Sequence, residues 1–233
     1  MFITFEGGEG TGKSTQVKLL AERLRAQGRS VLTTREPGGT PEAEALRKLL
    51  VSGEPGRWSS DEELLIVAAA RSNHLRTLIR PALLQGIIVI CDRFVDSTYV
   101  YQVYAGSAKF EYFEEVSKRV IGESWPSKTF ILDVDPAEGV LRSRNRMAGL
   151  KIRSEEILEE GMRTGSSDII GAGLVMSEAS SEDRFERKGI DFHKRVRAGF
   201  ATVAQNFPER CILIDAFAPP NVVADRIWAT LYG

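Results

Sequence analysis

Phe2-Ile3-Thr4-Phe5-Glu6-Gly7-Gly8-Glu9-Gly10-Thr11-Gly12-Lys13-Ser14-Thr15 opens the chain and decides its fold. Phe2 to Phe5 read as a strand, and Gly7 to Ser14 fit the pattern GxxxxGKS. From Lys13 to Gln27, the residues Val17, Leu20, Ala21 and Leu24 recur at helical spacing, and Gly28 stands where that helix should stop. Strand, glycine-rich loop and helix in this order make a phosphate cradle, a P-loop. Glycines let successive backbone N–H groups turn inward around phosphate oxygens, where side chains would clash. Gly7, Gly8, Glu9, Gly10, Thr11, Gly12, Lys13, Ser14 and Thr15 are therefore expected to bind the phosphates of a nucleoside triphosphate. Lys13 reaches the β and γ phosphates, and Ser14 ligates magnesium at the positive end of the helix.

Similar apolar runs follow at Ser30 to Thr34, Ile87 to Cys91, Thr129 to Val134 and Cys211 to Ile214. They are continuous rather than alternating, as expected of strands buried on both faces. Helical patterns lie between them. The chain is expected to be α/β, a P-loop NTPase-type three-layer fold with a central five-stranded parallel sheet flanked by helices. Ligands then bind at the carboxyl ends of the strands. Asp92-Arg93, just past one of these runs, falls beside the cradle, where an aspartate can hold magnesium and an arginine can clamp an acceptor phosphate bidentately.

Length and composition fit a single domain over 1–233: 233 residues, 42% hydrophobic and 27% charged. Lys and Arg number 31 against 32 Asp and Glu, a formal charge of -1, so no bulk field draws the chain to nucleic acid or anionic lipid. The strand beginning at Phe2 leaves no room for a secretory signal, and no apolar run approaches membrane-spanning length, so the expected place of work is the cytoplasm with no membrane contact. Cys91 and Cys211 read as buried reduced thiols, and His74 and His193 as surface or packing residues. Between 148 and 181 the pattern changes: glycines at 149, 161, 165, 171 and 173, several serines and scattered charge predict a mobile insertion. Ile157, Leu158 and Ile169 to Met176 could pack locally within it. Helical character is expected again over Asp183 to Phe200 and Asn221 to Leu231.

No Asn-Lys-x-Asp run accompanies the P-loop, which argues against a GTPase switch. Further motifs follow in order: Arg35-Glu36-Pro37-Gly38-Gly39-Thr40, Ala68-Ala69-Ala70-Arg71, Asp92-Arg93-Phe94, Tyr101-Gln102 and Asp183-Arg184-Phe185-Glu186. Together they resemble the thymidylate kinases, nucleoside monophosphate kinases that make dTDP from dTMP with ATP and magnesium. The resemblance runs from Phe2 to about Arg146 and resumes at Asp183. It implies that Glu9 approaches the acceptor sugar, that Arg93 and Arg47 hold the acceptor phosphate, and that Arg71 and Gln102 meet the thymine edge. Thr98, Tyr101, Ser97, Arg35 and Pro37 complete the acceptor site, and Asp92 joins Ser14 at the metal. The family's stacking aromatic stands four residues before Arg71, and here that position is Val67, with Phe94 or a tyrosine as the candidate substitute. The P-loop carries no arginine, so the resemblance is to the bacterial lid-arginine type, with a lid over 142–182. Of Arg142, Arg144 and Arg146, alternate residues cannot share one helical face, so one or two reach phosphate, Arg146 first and Arg142 second. A homodimer is implied by the resemblance alone. The alternatives are a P-loop kinase for another nucleotide or nucleoside, and a nonenzymatic nucleotide sensor.

Overall fold

The computed structural model describes residues 1–180, 184–185 and 187–232. Five strands, β1 (Phe2–Gly7), β2 (Val31–Arg35), β3 (Ile88–Asp92), β4 (Lys128–Asp133) and β5 (Cys211–Asp215), form one all-parallel sheet in the order β2-β3-β1-β4-β5. The first helices are α1 (Lys13–Ala26), α2 (Pro41–Val51) and α3 (Ser60–His74), the last running through a π-helical turn at Leu75–Ile79 into α4 (Arg80–Leu84). After β3 come α5 (Val95–Thr98), continuing as a π-helical stretch at Tyr99–Tyr104, and α6 (Phe110–Ile121). The remainder are α7 (Pro136–Thr164), α8 (Ser167–Ser180), α9 (Ile190–Asn206) and α10 (Pro220–Tyr232).

Side chains alternate across the strands into two cores. Ile3, Phe5, Ile88, Ile90, Phe130 and Leu132 meet Val17, Leu20 and Leu24 of α1 and Val223 and Ile227 of α10. Phe2, Val89 and Cys91 meet Leu75, Phe113 and Ile121 on the opposite face, where Ile131 also packs on Val196, Phe200 and Val203 of α9. The three layers are those expected. Burial on both faces holds for β1, β3 and β4, whereas β2 and β5 alternate between covered and open positions because they are the sheet edges. Gly28 takes φ 75° just past α1, and the Arg29 N–H returns to the Leu24 carbonyl, so the glycine ends the helix as its position implies.

Two expectations change. The segment 148–180 is helical rather than irregular: α7 runs on to Thr164, Gly165 turns the chain at φ 66°, and α8 folds back along it. Two of its glycines serve close packing, since a Cβ on Gly161 would stand 2.7 Å from Ile170 and one on Gly173 2.7 Å from Leu158. Ser181 and Glu182, which end the expected insertion and lid, lie outside the described residues. The next helix begins at Ile190, not at residue 183, because Arg184 is drawn away to α2 and α3 and Gly189 caps the helix that follows. Asp183 and Glu186 are likewise outside the described residues. No described helix is long and apolar enough to cross a membrane.

Candidate active site

Parallel register sets the carboxyl ends of β1 and β3 side by side, Phe5 opposite Asp92, so the loops after both strands meet. Within the first loop Gly10 holds φ 65° and lies against the first turns of α7: a Cβ there would stand 1.9 Å from the Gly139 carbonyl oxygen. Backbone cannot give way as a side chain can. Gly10→Ala is expected to cost at least roughly tenfold in ATP affinity and to lower the melting temperature, because the loop must lift from α7. Titration calorimetry with ATP checks this, and unchanged affinity would contradict it.

The Lys13 ammonium, itself buried, donates to the carbonyls of Gly8 (2.7 Å) and Gly7 (3.2 Å) and to Thr11 Oγ1 (3.3 Å). Burial and the nearby Arg93 pull it down to about 8, against the opposing carboxylates of Glu9, Asp92 and Glu6. Ser14 Oγ donates to Asp92 Oδ2 at 2.5 Å, which brings the two expected metal ligands together.

Beside the cradle opens a cleft of ≈ 640 Å³, counted to its mouth. Glu9, Pro37, Arg47, Val67, Arg71, Arg93, Ser97, Thr98, Tyr101 and Gln102 all line it. Arg35 does not. Its guanidinium lies on the surface against Glu44, with Nη2 3.0 Å from Oε2. The Arg47 guanidinium donates to the Pro37 carbonyl at 3.0 Å, so it lines the cleft with a fixed partner.

Arg93 is the hinge between cradle and cleft. It sits at φ 70°, an unusual conformation for a residue with a side chain, and donates to the Gly7 carbonyl (2.9 Å), Ser97 Oγ (3.0 Å) and Glu9 Oε1 (3.0 Å). Glu9 Oε1 also accepts the Tyr101 hydroxyl at 2.7 Å. Burial alone would push the Glu9 carboxyl up, but Arg93, Lys13 and the Tyr101 hydrogen bond outweigh it and hold Glu9 down to about 2.

Sequence reasoning missed Glu6, the buried carboxylate at the end of β1. It accepts from Phe94 N (2.7 Å) and from Ser97 Oγ (2.5 Å), so it shapes the turn that carries Arg93. Burial and the neighbouring Asp96 push it up to about 7. A raised carboxyl contributes stability below its ordinary value that is lost as pH rises through about 7. Glu6→Gln, which cannot ionise, is therefore expected to gain roughly 1–3 kcal/mol on the wild type between pH 5 and pH 8. Thermal melts of both proteins at the two pH values check it, and a constant difference would contradict it.

The cleft also carries buried polar groups and one aliphatic wall. Arg71, 2% exposed, donates Nε to Glu36 Oε2 (2.7 Å) and Nη2 to Thr98 Oγ1 (2.9 Å). Glu36 is fixed in turn by His74 Nδ1 at 3.0 Å, whose Nε2 meets Thr34 Oγ1 at 2.7 Å. His74 is thus fully buried, which selects the packing role over the surface one. Gln102 and Tyr101 enter the cleft from the π-helical stretch, where one extra residue per turn re-aims side chains. The wall at Val67 is built with Leu50 and Val51, against which Phe185 packs. Phe94 also lines the cleft, its ring centre 4.8 Å from the Arg71 guanidinium carbon. Glu36 stood in a quoted motif without a role of its own, and His74, Leu50 and Val51 left no signal in the sequence.

Neither Arg142 nor Arg146 lines the cleft among the described residues. Arg142 Nε pairs with Glu138 Oε1 at 2.8 Å, and its guanidinium lies 5.8 Å from the Phe217 ring centre. Arg146 Nη2 donates to the buried Ser143 Oγ at 3.0 Å. Both stand on α7, the helix on which the cradle rests.

A family model described as thymidylate kinase matches residues 5–169. The thymidylate kinase of Afipia carboxidovorans is 41% identical over 230 residues, 99% of this chain and 88% of that protein. That of Caulobacter vibrioides is 42% identical, with 97% of this chain and 93% of the relative covered. The crystal structure of thymidylate kinase from Ehrlichia chaffeensis superposes with a TM-score of 0.70 at 32% identity, covering 99% of this chain and 98% of that one.

Proposed function

This chain belongs to the thymidylate kinase family, and from that premise we propose how its own residues carry out the family's reaction. The enzyme transfers the γ-phosphate of ATP to dTMP, giving dTDP and ADP for dTTP synthesis. The observation that carries the assignment of residues is the cleft itself, where ten residues expected at an acceptor site face one another beside the cradle.

On the donor side, the backbone N–H groups of Gly7 to Ser14 and the Lys13 ammonium neutralise the β and γ phosphates. Ser14 and Asp92 offer two adjacent hard oxygen donors, which suit Mg2+, and that ion when bound would offset charge on the transferring group. On the acceptor side, Arg93 and Arg47 hold the dTMP phosphate, and Glu9, fixed by Arg93 and Tyr101, faces the sugar. Arg71 and Gln102 meet the thymine edge, with Val67, Leu50, Val51 and Phe185 forming the apolar wall for the ring. The attacking phosphate oxygen is already ionised at neutral pH, so no general base is needed and rate comes from in-line positioning and charge neutralisation. The α7–α8 hairpin is the lid within a single domain, and Arg146, with Arg142 second, supplies its phosphate-directed cation. A homodimer working in the cytoplasm follows from the resemblance.

Incubation with ATP, magnesium and dTMP is expected to yield dTDP and ADP one for one by ion-exchange chromatography. ADP formed without dTDP would overturn the acceptor assignment.

A further inference from the structure

Gln102 reaches the cleft with an amide whose two ends are chemically opposite, an accepting Oε1 and a donating Nε2. Nε2 lies 2.9 Å from Glu63 Oε2, and a carboxylate can only accept. Glu63 cannot readily turn, because Arg184 Nη2 holds its other oxygen at 2.6 Å. Arg184 is anchored in its turn by the carbonyls of Leu50 (2.8 Å) and Glu54 (3.2 Å). Both charges are buried, Arg184 at 0% and Glu63 at 3% exposure, so the chain from Arg184 to Gln102 is fixed on every side by packed protein.

We propose that Glu63, locked by Arg184, is a positioning residue for base selection: it fixes the Gln102 amide so that only the accepting Oε1 is offered to the acceptor base. The inference rests on the reading that Gln102 and Arg71 face the base. Thymine presents a ring N–H at N3 and an accepting O4, which match Oε1 and the Arg71 guanidinium. Cytosine presents a lone pair at N3 and an amino group at C4, so both contacts become like against like. A site with a fixed polarity rejects the mismatched base because its buried polar groups are left unpaired. The residues after the lid hairpin thereby set specificity at a base they never touch.

Steady-state kinetics with dTMP and dCMP test this on the full chain. In Glu63→Gln the second amide can donate or accept, so Gln102 is free to turn over. The ratio of kcat/KM for dTMP over dCMP is expected to fall at least roughly tenfold, mostly through the KM for dTMP, with kcat for dTMP within about threefold. A folded E63Q with the wild-type ratio would overturn the lock. Gln102→Ala separates the two levels: an unchanged ratio there would sink the base-facing reading itself, whereas a lowered ratio beside an unchanged one in E63Q sinks only the lock. Because E63Q leaves a buried guanidinium without its partner, the double variant E63Q/R184M, which removes both charges, is assayed if the single one does not fold. A crystal structure of the wild type with dTMP needs no variant. Gln102 should stay within hydrogen-bond distance of Glu63, and an amide swung away from it would contradict the proposal.

Discussion

Lys13→Ala is expected to lower kcat by roughly 10³-fold or more while leaving the melting temperature within a few degrees of wild type. The loss in rate follows from position. The ammonium sits against the carbonyls of the phosphate loop, where a triphosphate's β and γ oxygens would meet it, and its withdrawal leaves charge on the transferring group without its nearest fixed partner. The small effect on stability follows from electrostatics. Burial pulls Lys13 down to about 8 from 10.5, so what it contributes to stability is present above the unfolded value and lost as pH falls through about 8. At pH 7 the folded chain gains nothing from this charge. An ADP-release assay beside a thermal melt reads both quantities, and turnover near wild type would remove Lys13 from the mechanism.

Arg93→Ala should be as damaging to turnover, again roughly 10³-fold in kcat/KM, but it should also cost stability. The guanidinium ties together the Gly7 carbonyl, Ser97 and Glu9, and its removal leaves the Glu9 carboxylate in a covered site with Tyr101 as its one hydrogen-bond donor among the described residues. The stability loss is expected at about 2–4 kcal/mol, most of it from the uncompensated carboxylate. The backbone provides a control. At φ 70° alanine keeps the left-handed strain and glycine relieves it, so Arg93→Gly should melt higher than Arg93→Ala by about 1 kcal/mol of stability while being equally inactive. Equal loss of rate with unequal stability would separate the phosphate contact from the scaffold role.

Much of this was legible in the sequence because the signals are local. The cradle is eight consecutive residues, the strands are short apolar runs, and Asp92 ends β3 with Arg93 directly after it, so each could be placed by its neighbours alone. Arg35 misled for the same reason: it belongs to a run whose other members turn inward, but at the end of an edge strand its side chain pairs with Glu44 on the surface. The groups that were missed are held by long-range contacts. Glu6 meets Ser97 across 91 residues, Glu36 meets His74 across 38, and Arg184 meets Glu63 across 121, separations at which no spacing rule operates. The segment 148–180 was read as part of a mobile insertion because its glycines and serines resemble a loop's, whereas Gly161 and Gly173 are small so that two helices can touch. Glycine marks close approach as well as turning, and only the partner helix tells the two apart.

The most direct measurement is kcat/KM for a panel of monophosphates, dTMP, dUMP, dCMP, dAMP and dGMP, each with ATP and magnesium. If, as proposed, Arg93 and Arg47 hold a phosphate and Arg71 and Gln102 a pyrimidine edge in the one cleft they line, dTMP comes first, ahead of dCMP and both purines by roughly 10²-fold or more. Comparable turnover of dCMP or a purine, or ADP release indifferent to any acceptor, would contradict it.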